Sequence, residues 1–243
     1  MNDLIRYFAA RDLSNTVYNF FLVLCFVGWF LWNLWSGKRY GLPPWKRVVV
    51  SAAIWPLAYG LLYVLYWIES GFSDFGGHYN IVRGFIWFPL IALLIGKLLK
   101  IPFRTMTDYI APGVSLSQGI AHIGCSFAGC CNGFPAEFGI WNPEYECYMV
   151  PNQMLETFAA LGTFAACALW ARKRGYDSGG RIYPLFLILF GATRFLLEFL
   201  RDNEKIIGNV SVLALHAGLM VLVGTVWLLL LPGIDRRKKE DAK

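Results

Sequence analysis

Ile182-Tyr-Pro-Leu-Phe-Leu-Ile-Leu-Phe-Gly-Ala-Thr-Arg194-Phe-Leu-Leu-Glu198-Phe-Leu200 is long and apolar enough to cross a bilayer, yet it carries an arginine and a glutamate. A span of hydrocarbon takes about 20 mostly apolar residues. Charge in that setting is costly, so each ionisable side chain there is a candidate for function. The spacing of four puts Arg194 and Glu198 on one helix face, with Gly191 just before them on the same side. A structural explanation is a buried ion pair that fixes helix packing, or an arginine that snorkels outward. The functional one is a cation held ready for an anionic lipid headgroup, with Glu198 orienting it.

The rest of the chain agrees with a membrane setting. Of its 243 residues, 57% are apolar and only 16% charged, with a mean hydropathy of +0.48. A soluble domain carries about a quarter charged residues, so an ordinary cytosolic enzyme, a disordered chain and a basic-patch nucleic-acid binder are excluded. The expected fold is an all-α integral membrane protein with a single seven-helix transmembrane domain over 1–243. The predicted spans are 17–35, 48–67, 84–99, 108–130, 151–170, 182–200 and 211–231. Met1 to Asn15 lacks the basic-then-apolar order of a signal peptide.

Orientation follows from lysine and arginine. With seven alternating spans, sixteen of the 22 basic residues share one side: Lys38, Arg39, Lys46, Arg47, Lys97, Lys100, Arg104, Arg172, Lys173, Arg174, Arg181, Arg236, Arg237, Lys238, Lys239 and Lys243. That side is the cytoplasm, which puts the N-terminus outside and the C-terminus inside. The net charge of +6 is therefore a topology signal, and no nucleic-acid partner is expected. The external segment Asn132 to Val150 carries Glu137, Glu144 and Glu146 and no basic residue.

The fourth predicted span is barely hydrophobic. Ser115, Gln118, His122 and Cys125 follow 3-4-3 spacing and form one helical stripe. Such a stripe must face the bundle interior or water, and Pro112-Gly113 is expected to kink the helix. At about 1.5 Å per residue, His122, Arg194 and Glu156 all fall in the outer half of the bilayer, as does His216, and the segment with His78 and Arg83 is external. Four of the six cysteines, Cys125, Cys130, Cys131 and Cys147, map to the same outer end. Any disulfide there would join Cys130 or Cys131 to Cys147 or Cys125, because vicinal disulfides are strained. His122 and Cys125 have the i, i+3 spacing of a metal pair but no recognisable second pair of ligands, so no metal and no cofactor is expected.

Three blocks carry a resemblance. Ala121-His-Ile-Gly-Cys-Ser-Phe-Ala-Gly-Cys-Cys-Asn-Gly133 resembles the Gly-Arg-x-Gly-Asn-Phe-x-Asn-Gly-Glu-x-x-Gly signature of the prolipoprotein diacylglyceryl transferase family. Pro151-Asn-Gln-Met-Leu-Glu156 is similar to that family's Pro-Ser-Gln-x-Tyr-Glu. Gly191-Ala-Thr-Arg-Phe-Leu-Leu-Glu-Phe-Leu-Arg201 matches its Gly-x-x-Arg-Phe-x-x-Glu-x-x-Arg. Gly76-Gly77, followed by His78, lies where the family has His-Gly-Gly. The seven spans and the outside N-terminus also agree, and the likeness runs over about 70–210. The departures fall within the signature: its Arg is His122 here, its two Asn are Cys125 and Ala128, and its Glu is Cys130.

The resemblance implies transfer of a diacylglyceryl group from phosphatidylglycerol to the lipobox cysteine thiol of a secreted precursor, at the outer leaflet of the bacterial plasma membrane. The resemblance equally allows a paralogue of this activity with another acceptor. By that analogy the catalytic residues are His78, His122, Arg194 and Glu198. Arg194 would hold the phosphate, because its planar fork matches that group. His78 or His122 would take the thiol proton. Gly76, Gly77, Arg83, Gln118, Cys125, Gly129, Gly133, Gln153, Glu156 and Arg201 would line the substrate site. Two rival readings are a membrane thiol oxidoreductase using the outer cysteines and a non-catalytic lipid-binding protein on the same fold.

Overall fold

The computed structural model describes residues 1–73, 81–177, 179–201, 205–208 and 210–240. Six of the seven apolar windows each fall on one helix, and the third, 84–99, is shared between two. The order is α1 (Asn2–Ala9), α2 (Ser14–Arg39), α3 (Pro44–Glu69), α4 (Ile81–Gly84), α5 (Phe88–Leu99), α6 (Phe103–Ala128), β1 (Pro135–Asn142), β2 (Cys147–Met149), α7 (Asn152–Lys173), α8 (Ile182–Glu198), β3 (Lys205–Ile207), β4 (Val210–Ser211) and α9 (Val212–Glu240). Prolines punctuate the chain where helices begin: Pro44 opens α3, and Pro102 and Pro151 directly precede α6 and α7.

Among the described residues, four helices are long and apolar enough to cross a membrane: Ser14–Arg39, Pro44–Ile68, Asn152–Lys173 and Val212–Ile234. The outward faces of these and of α5 are greasy, with Phe20, Leu31, Leu98, Phe158, Leu169 and Leu229 all more than 60% exposed. This is the surface of an all-helical membrane protein. The third window is divided. A turn at Phe85–Trp87 separates α4 from α5, leaving only 12 continuous residues in α5. At about 1.5 Å per residue that is about 18 Å, well short of a hydrocarbon core of about 30 Å.

Helix α6 packs against α2, α5, α7 and α8. Most of its residues are buried, including Asp108, Ser115, Ser117, Gln118 and Cys125. Its low hydropathy has a simple cause: it touches protein where its neighbours touch lipid. Its polar groups are answered across the bundle. Ser115 Oγ donates to the Ala160 carbonyl of α7 at 2.8 Å, and Tyr109 donates to the Asn33 carbonyl of α2 at 2.9 Å. Pro112 lacks the N–H that would serve the carbonyl of residue 108. Tyr40, just after α2, donates its hydroxyl to that carbonyl at 3.3 Å, and the helix runs through the proline without a break.

Asp108 ties α6 to α8. Its carboxylate accepts from the backbone N–H groups of Gly180 at 2.9 Å, Ile182 at 2.7 Å and Tyr183 at 3.4 Å. These are orphan donors at the start of α8, so a side chain from one helix caps another and sets their relative height. At the opposite end of the bundle, β1 and β2 form an antiparallel hairpin with a register break between Pro135 and Ile140. The segment read from sequence as an external loop is thus partly strand. Helix α1 docks on this hairpin: Asn2 donates to the Gly139 carbonyl and accepts from the Trp141 N–H, both at 3.1 Å. Ile5 is buried against Phe127 and Ile140.

Replacing the interhelical cap should weaken the bundle. Asp108→Ala is expected to cost about 0.5–2 kcal/mol, the range for losing a helix cap, and Asp108→Asn less. Thermal unfolding of the detergent-solubilised protein measures both. An unchanged midpoint for Asp108→Ala would show that the cap adds nothing.

Candidate active site

The end of the bundle that carries the hairpin also holds a cluster of buried charges. Glu156 sits one turn into α7 and is 4% exposed. Its Oε1 accepts from Arg194 Nη1, from Arg201 Nη2 at 2.7 Å and Nε at 3.2 Å, and from Asn152 Nδ2 at 3.2 Å. Its Oε2 lies 2.7 Å from His122 Nε2. Arg194 turns its other terminal nitrogen to Glu198 Oε2 at 2.9 Å, the i, i+4 pair expected from the sequence. Glu198 Oε1 accepts from Ser211 Oγ at 2.8 Å. That hydroxyl in turn accepts from the Ala214 N–H and so caps α9. Arg201 Nε also stands 3.9 Å from Glu198.

Two guanidiniums and two carboxylates therefore balance within one buried cluster drawn from α7, α8 and the residues after α8, with His122 of α6 as the fifth ionisable member. Low dielectric strengthens every one of these attractions and penalises any unmatched charge. Arg194 is less free than the sequence suggested, because its two terminal nitrogens are held by two different glutamates. Arg201 is held by Glu156 but also reaches the wall of an open cavity.

That cavity has a volume of about 240 Å³ and is lined by Cys131, Asn132, Gly133, Tyr145, Met149 and Arg201 among others. A narrow crevice between α7 and α8 reaches the other side of the cluster, touching Glu156, Ala160, Phe190, Thr193, Arg194 and Leu197. Its volume of about 10 Å³ suits no more than about one water.

The first turn of α7 also holds the cysteine loop. Gln153 Nε2 donates to the Cys130 carbonyl at 2.9 Å, and Asn152 Nδ2 to the Cys131 carbonyl at 3.5 Å. All six cysteines are free thiols. Those of Cys125, Cys130 and Cys131 hydrogen-bond one another. Hydrogen bonds from the Cys125 and Cys130 thiols hold Cys131 well below the usual thiol range, against the opposing effect of its burial. Cys147 belongs to β2.

The structure brings together His122, Glu156, Arg194, Glu198 and Arg201, with Cys125 and Gln153 beside them. Gln118 is buried on α6 one turn before His122. Gly129 ends α6 at φ +77°, where an added Cβ would come within 2.7 Å of Asn142 Oδ1. At Gly133 it would come within 2.6 Å of Val150 Cβ and 2.8 Å of the Leu200 carbonyl. Gly133 lets backbone segments approach closely at the cavity wall, and Gly129 leaves room for the Asn142 side chain. Arg83 is half-buried on α4, which packs against α3 and α9. Gly76, Gly77 and His78 lie outside the described residues. His216 bonds the Val212 carbonyl of its own helix. Sequence reasoning passed over Asn152, although its spacing of four from Glu156 is visible. It also passed over Ser211, whose contact with Glu198 has no local signal.

Removing the shared carboxylate should be costly. Glu156→Ala leaves two guanidiniums facing each other in a buried site, and breaking a buried pair this way costs about 3–5 kcal/mol. The Glu156→Ala, Arg201→Ala double variant should lose less than the sum of the singles, since contacting residues couple. Chemical denaturation of the purified variants checks this, and strictly additive losses would show that the two residues are energetically independent.

The residues that meet in this cluster are those of the three sequence blocks, and comparisons with known proteins point the same way. The family model described as prolipoprotein diacylglyceryl transferase matches residues 9–230. A phosphatidylglycerol–prolipoprotein diacylglyceryl transferase of Clostridium tetani is 27% identical over 174 residues, which covers 69% of this chain and 68% of the relative. A second, from Clostridium perfringens and numbered 2 in its name, is 28% identical over 180 residues, 71% of this chain and 69% of its own. One from Dehalococcoides mccartyi is 26% identical over 203 residues, 75% of each. The chain belongs to the prolipoprotein diacylglyceryl transferase family.

Proposed function

We propose that this chain transfers a diacylglyceryl group from phosphatidylglycerol to the cysteine thiol of a lipobox-bearing precursor. The observation that carries this reading is Arg201, a cation shared with the buried Glu156–Arg194–Glu198 cluster and also on the wall of the 240 Å³ cavity. The donor phosphate would sit in that cavity against the Arg201 fork, whose geometry suits phosphate oxygens. Arg194, one layer deeper, would add positive potential while its two glutamates hold it in place. As the carbon–oxygen bond to the phosphate breaks, negative charge grows on the departing glycerol phosphate. Fixed donors aimed at that charge lower the barrier because they need no reorganisation at the moment of reaction. The acyl chains would remain in lipid beside the apolar outer faces of the helices.

The accompanying topology is a seven-span bundle in the bacterial plasma membrane, N-terminus outside and C-terminus in the cytoplasm. Its support is the segregation of sixteen of the 22 basic residues to alternate connections and the tail. The charge cluster and the hairpin then face the outer leaflet, where a secreted precursor presents its cysteine. The thiol oxidoreductase and lipid-carrier readings are not favoured by membership of a transferase family.

The test is transfer of radiolabelled diacylglyceryl from phosphatidylglycerol to a lipobox peptide by the purified protein. Arg201→Ala should lower kcat/KM by at least about a hundredfold, the scale for removing one charge-stabilising donor. Arg194→Lys should also be poor, since an ammonium cannot bridge Glu156 and Glu198 as a planar fork does. A fully active Lys variant would show that only a point charge is needed. No consumption of phosphatidylglycerol by folded protein would sink the transferase reading.

A further inference from the structure

His122 has one ring nitrogen committed and one not. Nε2 meets Glu156 at 2.7 Å, while Nδ1 is buried with no well-aligned hydrogen bond among the described residues, and the ring stands against the Cys131 thiol. The ligand atoms of His122, Cys125 and Cys131 all lie within 4.8 Å of one another. With Nε2 held by Glu156, Nδ1 is the nitrogen left for the two thiols. A histidine that gives one N–H to a carboxylate and turns the other nitrogen to sulfur ligands is the arrangement by which proteins orient a metal-binding imidazole. Sulfur with imidazole is a donor set that suits zinc.

We propose that His122 Nδ1, Cys125 Sγ and Cys131 Sγ bind a zinc ion, and that its fourth position receives the acceptor cysteine as a thiolate. Zinc sits about 2.3 Å from sulfur and about 2.0–2.1 Å from nitrogen. Donors already within 4.8 Å of one another need move inward by only roughly an ångström to meet those distances. Three protein ligands with an open fourth position are the pattern of catalytic zinc, whereas structural zinc is closed by four. The open side is available: Cys131 lines the cavity that Arg201 also lines. Charge supports the assignment as well. Two thiolates would neutralise the dication, and the neighbouring Arg194, Arg201, Glu156 and Glu198 already balance one another.

This inference rests on the proposed transfer reaction and supplies its missing step, the activation of the thiol. A thiol that coordinates zinc is deprotonated; its proton passes to solvent. The thiolate sulfur attacks the glycerol carbon that carries the phosphate ester. The carbon–sulfur bond forms, the carbon–oxygen bond breaks, and the electron pair leaves on the oxygen of glycerol phosphate beside Arg201. No electron passes to or from the metal.

The experiment uses the full-length protein, purified in detergent under reducing conditions from zinc-supplemented cells, with metal content measured by elemental analysis. Stoichiometric zinc is expected in the unaltered protein and in Cys147→Ser and Cys25→Ser, and its loss in Cys125→Ser and Cys131→Ser. Replacing zinc by Co²⁺ should give a thiolate-to-cobalt charge-transfer band in the near ultraviolet and strong visible bands of a tetrahedral site. A lipobox peptide should perturb the visible bands, and its cysteine-to-serine version should not. Folded protein without zinc and without the cobalt spectrum would overturn the metal site, as would a disulfide linking Cys125 to Cys131. Transfer by metal-free protein at the full rate would keep the transferase reading and overturn the role of zinc. Bound zinc with no transfer to the peptide would uphold the metal site and overturn the thiol-activating role together with the transfer reading.

Discussion

The pairing of Glu156 with Arg194 and Arg201 is the constraint on which the site depends. All three side chains are buried, and in that setting a single unmatched charge costs more than any one hydrogen bond returns. The three must therefore meet, which brings the start of α7, the end of α8 and the residues just beyond α8 to one depth. His122 completes the second carboxylate oxygen from α6, and Ser211 extends the cluster through Glu198 to the start of α9. Four helices are positioned by one connected set of polar contacts.

Helix α6 makes this possible by being a poor membrane helix. Its hydroxyls, amide and acid would be expensive against lipid, and packing on α2, α5, α7 and α8 removes that cost. One end is fixed to α8 by the Asp108 carboxylate. The other end delivers His122 and Cys125 to the charged cluster. Because a helix is stiff, the cap near one end helps hold the height of the imidazole at the other. The gap that Pro112 leaves in the helix ladder is filled by a neighbour, Tyr40, so the proline does not interrupt that connection.

The chain belongs to a transferase family but departs from the family's signature at His122, Cys125, Ala128 and Cys130. Three of these departures are not scattered in space. His122, Cys125 and Cys130 gather with Cys131 against Glu156, while the span-six block supplies Arg194, Glu198 and Arg201 as in the family pattern. The two halves of the cluster differ in chemistry. One half is hard and ionic, matched to phosphate; the other is soft and sulfur-rich, matched to thiol chemistry.

The sequence by itself determined the membrane setting, the helix positions and the acid–base pair of α8, because these depend on composition and on spacings of three and four residues. It also located His122, Glu156 and Arg194 at similar depth, since helical rise is constant. It missed the β hairpin, whose short strands carry no apolar alternation, and the division of the third window at Phe85–Trp87. It found no partner for the His122–Cys125 pair. The third donor, Cys131, lies beyond the αL turn at Gly129, and the loop is held in place by Asn152 and Gln153 of α7. Likewise nothing local shows that Glu156 is shared by two arginines, or that Asp108 caps a helix more than seventy residues away. Those contacts are decided only by tertiary structure, because buried polar groups must find partners wherever the packed chain brings them and sequence distance does not enter that requirement.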